Sequence, residues 1–190
     1  SDKPTEILFN VYSKDILATI SCLDSLGAKC DIIPGGARVQ PIKAANRNAV
    51  LNCAECGSTA RFLLPLSAAL CDVATLTGEG SLLARPFSAL CEVMRENGCS
   101  VEGEKLPLTV RGGLRAGVYE IDGNISSQYI TGLMFALSTL SADSEIVLKT
   151  PLQSSGYADM TIDTLLRFGV KIEKRGHRYH IRGGQKYTSP

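Results

Sequence analysis

Short strand-like runs and longer apolar segments alternate along the chain, and the pattern predicts a regular succession of elements. Strands are predicted at Val50–Cys53, Val73–Thr77, Val118–Ile121 and Glu145–Lys149. Between them, Phe62–Leu70 and Tyr129–Leu137 are apolar nearly all the way round. They predict helices over Ser58–Cys71 and Ser127–Leu140 that have no solvent face and are therefore buried. Two other segments, Pro86–Asn97 and Ala158–Phe168, keep a charged face and predict helices that cover the outside. Pro65 lies inside the first buried helix, where it removes a hydrogen bond and predicts a kink. Further strands are expected near 99–102, 106–111, 170–174 and 178–182.

This succession repeats. Gly27, Gly98 and Gly169 each end an amphipathic segment just before a strand-like run, and they fall 71 residues apart. Glycine just past a helix is the expected left-handed cap. Arg111-Gly112-Gly113 and Arg182-Gly183-Gly184 follow strand patterns and share the same interval. Two independent markers with one period define a repeat of βαβαββ units, 50–116 and 117–190. The stretch 1–49 supplies a strand (Ile7–Phe9), a helix (Asp15–Leu26) and two short strands, but lacks the opening strand and helix. By the spacing, those would precede residue 1, as part of a longer chain or as a segment donated from elsewhere. The expected fold is α/β (α+β), a single lobe over 1–190 with small mixed sheets outside and buried helices within.

Composition narrows the function classes. Twenty Lys+Arg against nineteen Asp+Glu leave a net charge of +1, with no global field to collect nucleic acid or a membrane surface. Trp is absent and aromatic residues are 6% of the chain, too few for base-stacking platforms. No apolar run approaches the roughly 20 residues that span a bilayer. The seven cysteines are odd in number and scattered through the elements, which predicts reduced thiols and a cytoplasmic setting.

Any anion recognition must therefore be local. Helix N-termini carry unpaired N–H groups and partial positive charge. The two buried helices open with Gly57-Ser58-Thr59 and Ser126-Ser127-Gln128, and an outer helix opens with Ser154-Ser155-Gly156-Tyr157. Repeat symmetry would bring such ends to one edge. Arg61, one turn into a buried helix, and Arg85, at the start of another helix, could add bidentate donors for phosphate or carboxylate. The plainer alternative is that these hydroxyls are ordinary N-caps. Cys53-x-x-Cys56 is half a zinc site without its second half, and His177-x-x-His180 reads as a solvated edge, so no metal is expected. Gly78-Glu79-Gly80-Ser81 lacks the ending of a phosphate-binding P-loop, and two histidines support no nucleophilic triad.

Several stretches, in order along almost the whole chain, resemble one family. They are Ser13–Thr19, Cys53–Arg61, Leu76-Thr77-Gly78-Glu79 through Arg85-Pro86, Ser126-Ser127-Gln128-Tyr129, Ser154-x-x-Tyr157-x-Asp159-Met160-Thr161, and Gly183-Gly184-Gln185-x-Tyr187-x-Ser189-Pro190. The chain resembles the 5-enolpyruvylshikimate-3-phosphate synthases (3-phosphoshikimate 1-carboxyvinyltransferases) of the shikimate pathway, which serves aromatic amino acid biosynthesis. The resemblance implies one of two lobes, each of three βαβαββ units, that close over the substrates. An N-terminal segment and the second lobe, which carry further substrate-binding and acid/base groups, would be its partners. It implies enolpyruvyl transfer from phosphoenolpyruvate to shikimate 3-phosphate without a cofactor, and a chain that is inactive alone.

Residue by residue, the resemblance assigns shikimate 3-phosphate to Ser126, Ser127, Gln128, Ser154 and Tyr157. It assigns phosphoenolpyruvate to Gly57, Arg85 and Gln128, with Asp15 and Arg61 lining the site. One loop departs from the pattern. The family usually has Gly-Asn-Ser/Ala-Gly-Thr where this chain has Ala54-Glu55-Cys56-Gly57-Ser58. Glu55 thereby places a carboxylate beside an anion's expected position, unless it turns outward or pairs with Arg61 or Arg85. Besides a purely structural repeat protein, two other readings compete. One is a non-catalytic module that binds a phosphorylated metabolite. The other is a lobe of UDP-N-acetylglucosamine enolpyruvyl transferase, whose usual reactive Cys has no counterpart between residues 78 and 85.

Overall fold

A computed structural model describes residues 1–190. The first run of elements is β1 (Thr5–Leu8), α1 (Lys14–Ser25), β2 (Lys29–Ile33) and β3 (Gly36–Gln40). The second is β4 (Asn48–Asn52), α2 (Gly57–Leu70), β5 (Val73–Thr77), a 3₁₀ turn (Gly80–Ala84), α3 (Ser88–Glu96), β6 (Ser100–Glu102) and β7 (Leu108–Arg111). The third is β8 (Val118–Asp122), α4 (Ser127–Leu137), β9 (Ser144–Thr150), α5 (Ser155–Arg167), β10 (Ile172–Arg175) and β11 (Arg178–Ile181).

The second and third runs form sheets of one design, β4-β5-β7-β6 and β8-β9-β11-β10. In each, the two strands flanking the apolar helix pair in parallel, and the closing hairpin adds antiparallel. The first sheet, β1-β3-β2, is wholly antiparallel and has no strand on the outer edge of β1. The 71-residue markers coincide with real geometry: Gly27, Gly98 and Gly169 follow α1, α3 and α5 with φ of 105°, 99° and 79°, the left-handed region where a Cβ is strained.

The second and third sheets each bury one face, whereas only Gly36 and Ala37 are buried in the first. Along β4 and β5, Ala49, Leu51, Ala74 and Leu76 point inward while Val50 faces out. Tyr119, Ile121, Ile146, Tyr179 and Ile181 do the same in the third sheet. Forty buried side chains from all three runs form one continuous cluster, so the chain is one unit rather than three.

Helices α2 and α4 run through the centre of that cluster, as their all-round apolar sequences require. Helix α2 is continuous through Pro65, where the sequence predicts a kink. Proline has no N–H to offer the carbonyl of Arg61 four residues earlier. Gly132 of α4 lies against that same carbonyl: a Cβ there would overlap Arg61 O and meet Pro65 Cγ at 3.0 Å. The helices touch backbone to backbone at this point. Helix α3 begins at Ser88 rather than Pro86, which corrects one expectation: Arg85 sits on the loop after the 3₁₀ turn, not at a helix start.

All seven cysteines are free, and six are buried. Burial pushes the Cys91 and Cys99 thiols up to about 11. Burial, reinforced by the Asp24 carboxylate, pushes Cys30 up to about 12. Cys56 Sγ accepts from Thr59 Oγ1 at 3.0 Å, so this half of the Cys-x-x-Cys motif is engaged within the helix start. His180 lies on β11 with Asp143 3.6 Å away. No group of three His, Cys, Asp or Glu side chains is arranged to hold a metal ion. No helix is long and apolar enough to cross a membrane.

Gly132→Ala is expected to force the two central helices apart and to cost about 1–3 kcal/mol. Urea unfolding checks it. A lowered midpoint with an unchanged slope is expected, and an unchanged midpoint would show that the helix contact is not close-packed.

Candidate functional site

The starts of α2, α4 and α5 come to one edge of the lobe and enclose a cavity of about 580 Å³. Ser58 from α2, Ser126, Ser127 and Gln128 from α4, and Ser154 and Tyr157 from α5 all line it, with Phe62 and Phe135 also in its wall. Three helix ends converge here because α2 follows β4, and α4 and α5 follow β8 and β9, whose parallel pairing brings both of their ends to the same side. None of the three helices has an acidic residue in its first turn, so nothing from within neutralises their positive ends.

The hydroxyls do not all cap helices in the ordinary way. Ser126 does: its Oγ accepts from the Gln128 N–H at 3.3 Å. Ser154 does not. It holds φ 59°, ψ 47°, a left-handed conformation that costs a non-glycine residue roughly 1–2 kcal/mol, and its side chain makes no capping bond. Helix α2 likewise starts without a side-chain cap, from Cys56. Tyr157 stands in the first turn of α5, 64% exposed.

Beside the cavity lies a pair of arginines. A Cβ placed on Gly57 would meet Arg61 Nη1 at 2.7 Å and Arg85 Nη1 at 2.9 Å, so both guanidinium groups close over that glycine at the uncapped start of α2. Neither has a carboxylate within ion-pair distance. Arg61 is fixed by aromatic faces instead, with its guanidinium carbon 5.3 Å from the Phe87 ring centre and 5.8 Å from that of Tyr129. Tyr129 is anchored in turn by donating to the Pro86 carbonyl at 3.0 Å. Burial holds the Tyr129 hydroxyl above its ordinary range, with Arg61 pulling it the other way. The Arg61 Nε is buried with no partner.

One hydrogen bond joins the arginine pair to the cavity: Arg61 Nη1 donates to Gln128 Oε1 at 2.9 Å. A guanidinium only donates, so the bond fixes the orientation of the Gln128 amide and leaves its NH2 as a free donor. The arrangement concentrates donors and positive charge with no counter-charge among them. Its chemistry suits two adjoining anionic groups: a phosphate at the helix ends and a carboxylate or phosphate at the planar guanidinium forks.

Of the residues singled out in the sequence, Ser126, Ser127, Gln128, Ser154 and Tyr157 share the cavity, and Gly57, Arg61 and Arg85 form the adjacent cluster. Asp15 lines no part of the cavity. It lies in the first turn of α1, where its carbonyl accepts from Thr19 Oγ1 at 2.9 Å, and Thr19 Oγ1 is 2.6 Å from Thr59 Oγ1 on α2. Glu55 forms no ion pair with either arginine and accepts from the Ser81 N–H at 3.2 Å. Sequence reading missed Phe87 and Tyr129, the aromatic holders of Arg61. The only trace of them is their position, each just past a site residue, Arg85 and Gln128.

The chain matches the family described as EPSP synthase (3-phosphoshikimate 1-carboxyvinyltransferase) over residues 2–190. It is 38% identical to the 3-phosphoshikimate 1-carboxyvinyltransferase of Clostridium novyi (strain NT) over 192 residues, covering 94% of this chain and 44% of that relative. It is 42% identical to that of Clostridium kluyveri over 183 residues, covering 93% and 42%. The chain thus spans less than half the length of these relatives. The solved EPSP synthase from Acinetobacter baumannii has the same fold over 100% of this chain and 43% of its own, at TM-score 0.82 and 20% identity. With the family match running through β-sheets, helix starts and arginine loop alike, the chain belongs to the EPSP synthase family.

Proposed function

We propose that this chain is the substrate-binding lobe of an enzyme that transfers the enolpyruvyl group of phosphoenolpyruvate to the 5-hydroxyl of shikimate 3-phosphate. The observation that carries the reading is the Arg61–Gln128 hydrogen bond. It couples a hydroxyl-lined cavity at converging helix ends to two unpaired guanidinium groups, and the two proposed substrates are both anions that must lie side by side to react.

In this reading the shikimate 3-phosphate phosphate lies at the starts of α4 and α5, held by Ser126, Ser127 and Ser154, with Tyr157 against its ring. Gln128 directs its free NH2 between the two substrates. Arg85 and the backbone at Gly57 take phosphoenolpyruvate, and Arg61, clamped by Phe87 and Tyr129, keeps Gln128 in place. The 5-hydroxyl oxygen bonds to C2 of phosphoenolpyruvate and loses its proton while C3 gains one, which gives a tetrahedral intermediate. Loss of phosphate from C2 and of a proton from C3 restores the double bond. What this lobe contributes is approach and charge neutralisation.

The acid/base groups belong, on this proposal, to a second lobe, which accords with the 44% of the C. novyi relative that this chain covers. A preceding strand and helix would complete the first unit. The unpaired edge of β1 and an apolar groove lined by Ile42, Leu66, Leu70 and Phe135 support that placement. The cytoplasm is the compartment such an activity implies. The chain alone is expected to turn over no substrate.

Amide chemical shifts of the chain titrated with shikimate 3-phosphate test the half-site. Movement at Ser126–Gln128, Ser154 and Tyr157 is expected, and Gln128→Ala should weaken binding by about five- to tenfold through the loss of one hydrogen bond. No movement at millimolar ligand would remove the cavity from the proposal. Gly57→Ala is expected to leave folding intact, because its Cβ crowds only the guanidinium tips of Arg61 and Arg85 and meets Leu82 Cδ1 at an ordinary 3.6 Å. It should weaken phosphoenolpyruvate binding by displacing both guanidinium groups. Binding equal to wild type by calorimetry would place that substrate elsewhere.

A further inference from the structure

The loop that carries Arg85 is not held by regular secondary structure at its start. It leaves β5 at Thr77 and runs through Gly78 and Glu79 into the 3₁₀ turn. What fixes it is the neighbouring loop after β4. The parallel pairing of β4 and β5 continues past both strands: the Cys53 N–H donates to Thr77 O at 2.9 Å, and the Glu79 N–H donates to Ala54 O at 2.7 Å. Ala54 holds φ 47°, a left-handed turn that brings Glu55 round toward the other loop. There the Glu55 carboxylate accepts from the Ser81 N–H at 3.2 Å and covers Gly80, where any Cβ would overlap it. Gly80 itself holds φ 53°.

We propose that Glu55 is a positioning residue. Its carboxylate latches the 79–85 loop onto the 53–57 loop, and so sets Arg85 over Gly57 beside Arg61. The same bond commits the negative charge of Glu55 to a backbone amide instead of the arginine pair, which leaves both guanidinium groups free for an anion. Gly80 is the required counterpart, since only a residue without a side chain leaves room for the carboxylate. The inference rests on reading the arginine pair as the phosphoenolpyruvate site.

The two possible roles of Glu55 have opposite signatures. A bystander carboxylate repels the anion, so removing it tightens binding. A latch holds the arginine, so removing it weakens binding, and an uncharged acceptor restores it. Amide exchange at Ser81 and the Nε–H resonance of Arg85 are followed by NMR in the 190-residue chain, with phosphoenolpyruvate affinity measured alongside. Glu55→Ala is expected to speed Ser81 exchange about fivefold and to weaken phosphoenolpyruvate by a similar factor, the size of one lost hydrogen bond. Glu55→Gln keeps an acceptor oxygen and should retain slow exchange and at least wild-type affinity. Gly80→Ala should reproduce Glu55→Ala by displacing the carboxylate. Tighter anion binding by Glu55→Ala, with Ser81 exchange and the Arg85 resonance unchanged, would overturn the latch. If the wild-type chain binds no phosphoenolpyruvate, the substrate assignment fails by itself, and Ser81 exchange with the Arg85 resonance still decides whether the latch exists.

Discussion

The backbone contact between the two central helices governs the rest of the lobe. Pro65 frees the carbonyl of Arg61, and Gly132 lets α4 come up against it. A side chain on Gly132 would overlap that carbonyl and push the two helices apart. Because the helices touch there, their N-termini stand close enough for Arg61 on one to reach Gln128 on the other. Core packing and site geometry therefore share a single contact.

The site is electrostatically unbalanced by construction. Three helix starts without acidic residues, a hydroxyl held in a strained left-handed conformation and two unpaired guanidinium groups all raise the free energy of the empty lobe. The large common core offsets that cost. Arg61 shows how the imbalance is tolerated: two aromatic faces hold its charge without neutralising it, as a carboxylate would. A site prepared in this way need not reorganise when an anion arrives, which is the condition for charge stabilisation to help a reaction.

The three runs of elements are unequal in a way that bears on the whole. Two of them build four-stranded sheets with a parallel pair flanking a buried helix, and the first builds three antiparallel strands with β1 at an open edge. Ile7 and Leu8 of β1 and Ile32 of β2 are exposed there. An open edge beside exposed apolar side chains invites pairing. It agrees in scale with relatives more than twice as long as this chain.

Much of this was legible before any coordinates. The 71-residue spacing of Gly27, Gly98 and Gly169 reports a local requirement, a left-handed residue after each helix, and local requirements are written directly in residue type. The all-round apolar character of α2 and α4 announced burial for the same reason. Ser126, Ser127 and Gln128 could be grouped with the start of α2 because the repeat carries equivalent helix starts to one edge, and Ser154 and Tyr157 join them because α5 follows β9, the parallel neighbour of β8. What the chain order could not convey is distance between segments that share no spacing. Phe87 and Tyr129 meet across Arg61, Glu55 reaches Gly80, Asp15 stays outside the cavity, and Arg85 lies on a loop rather than at a helix start. Each depends on how closely two helices or two loops approach, and that distance is set by the volumes packed between them. Sequence by itself determined the elements, their repeat and the residue types at the helix ends. The tertiary structure alone decided which charges face each other, because electrostatics and hydrogen bonding act over a few ångströms that only the packed core defines.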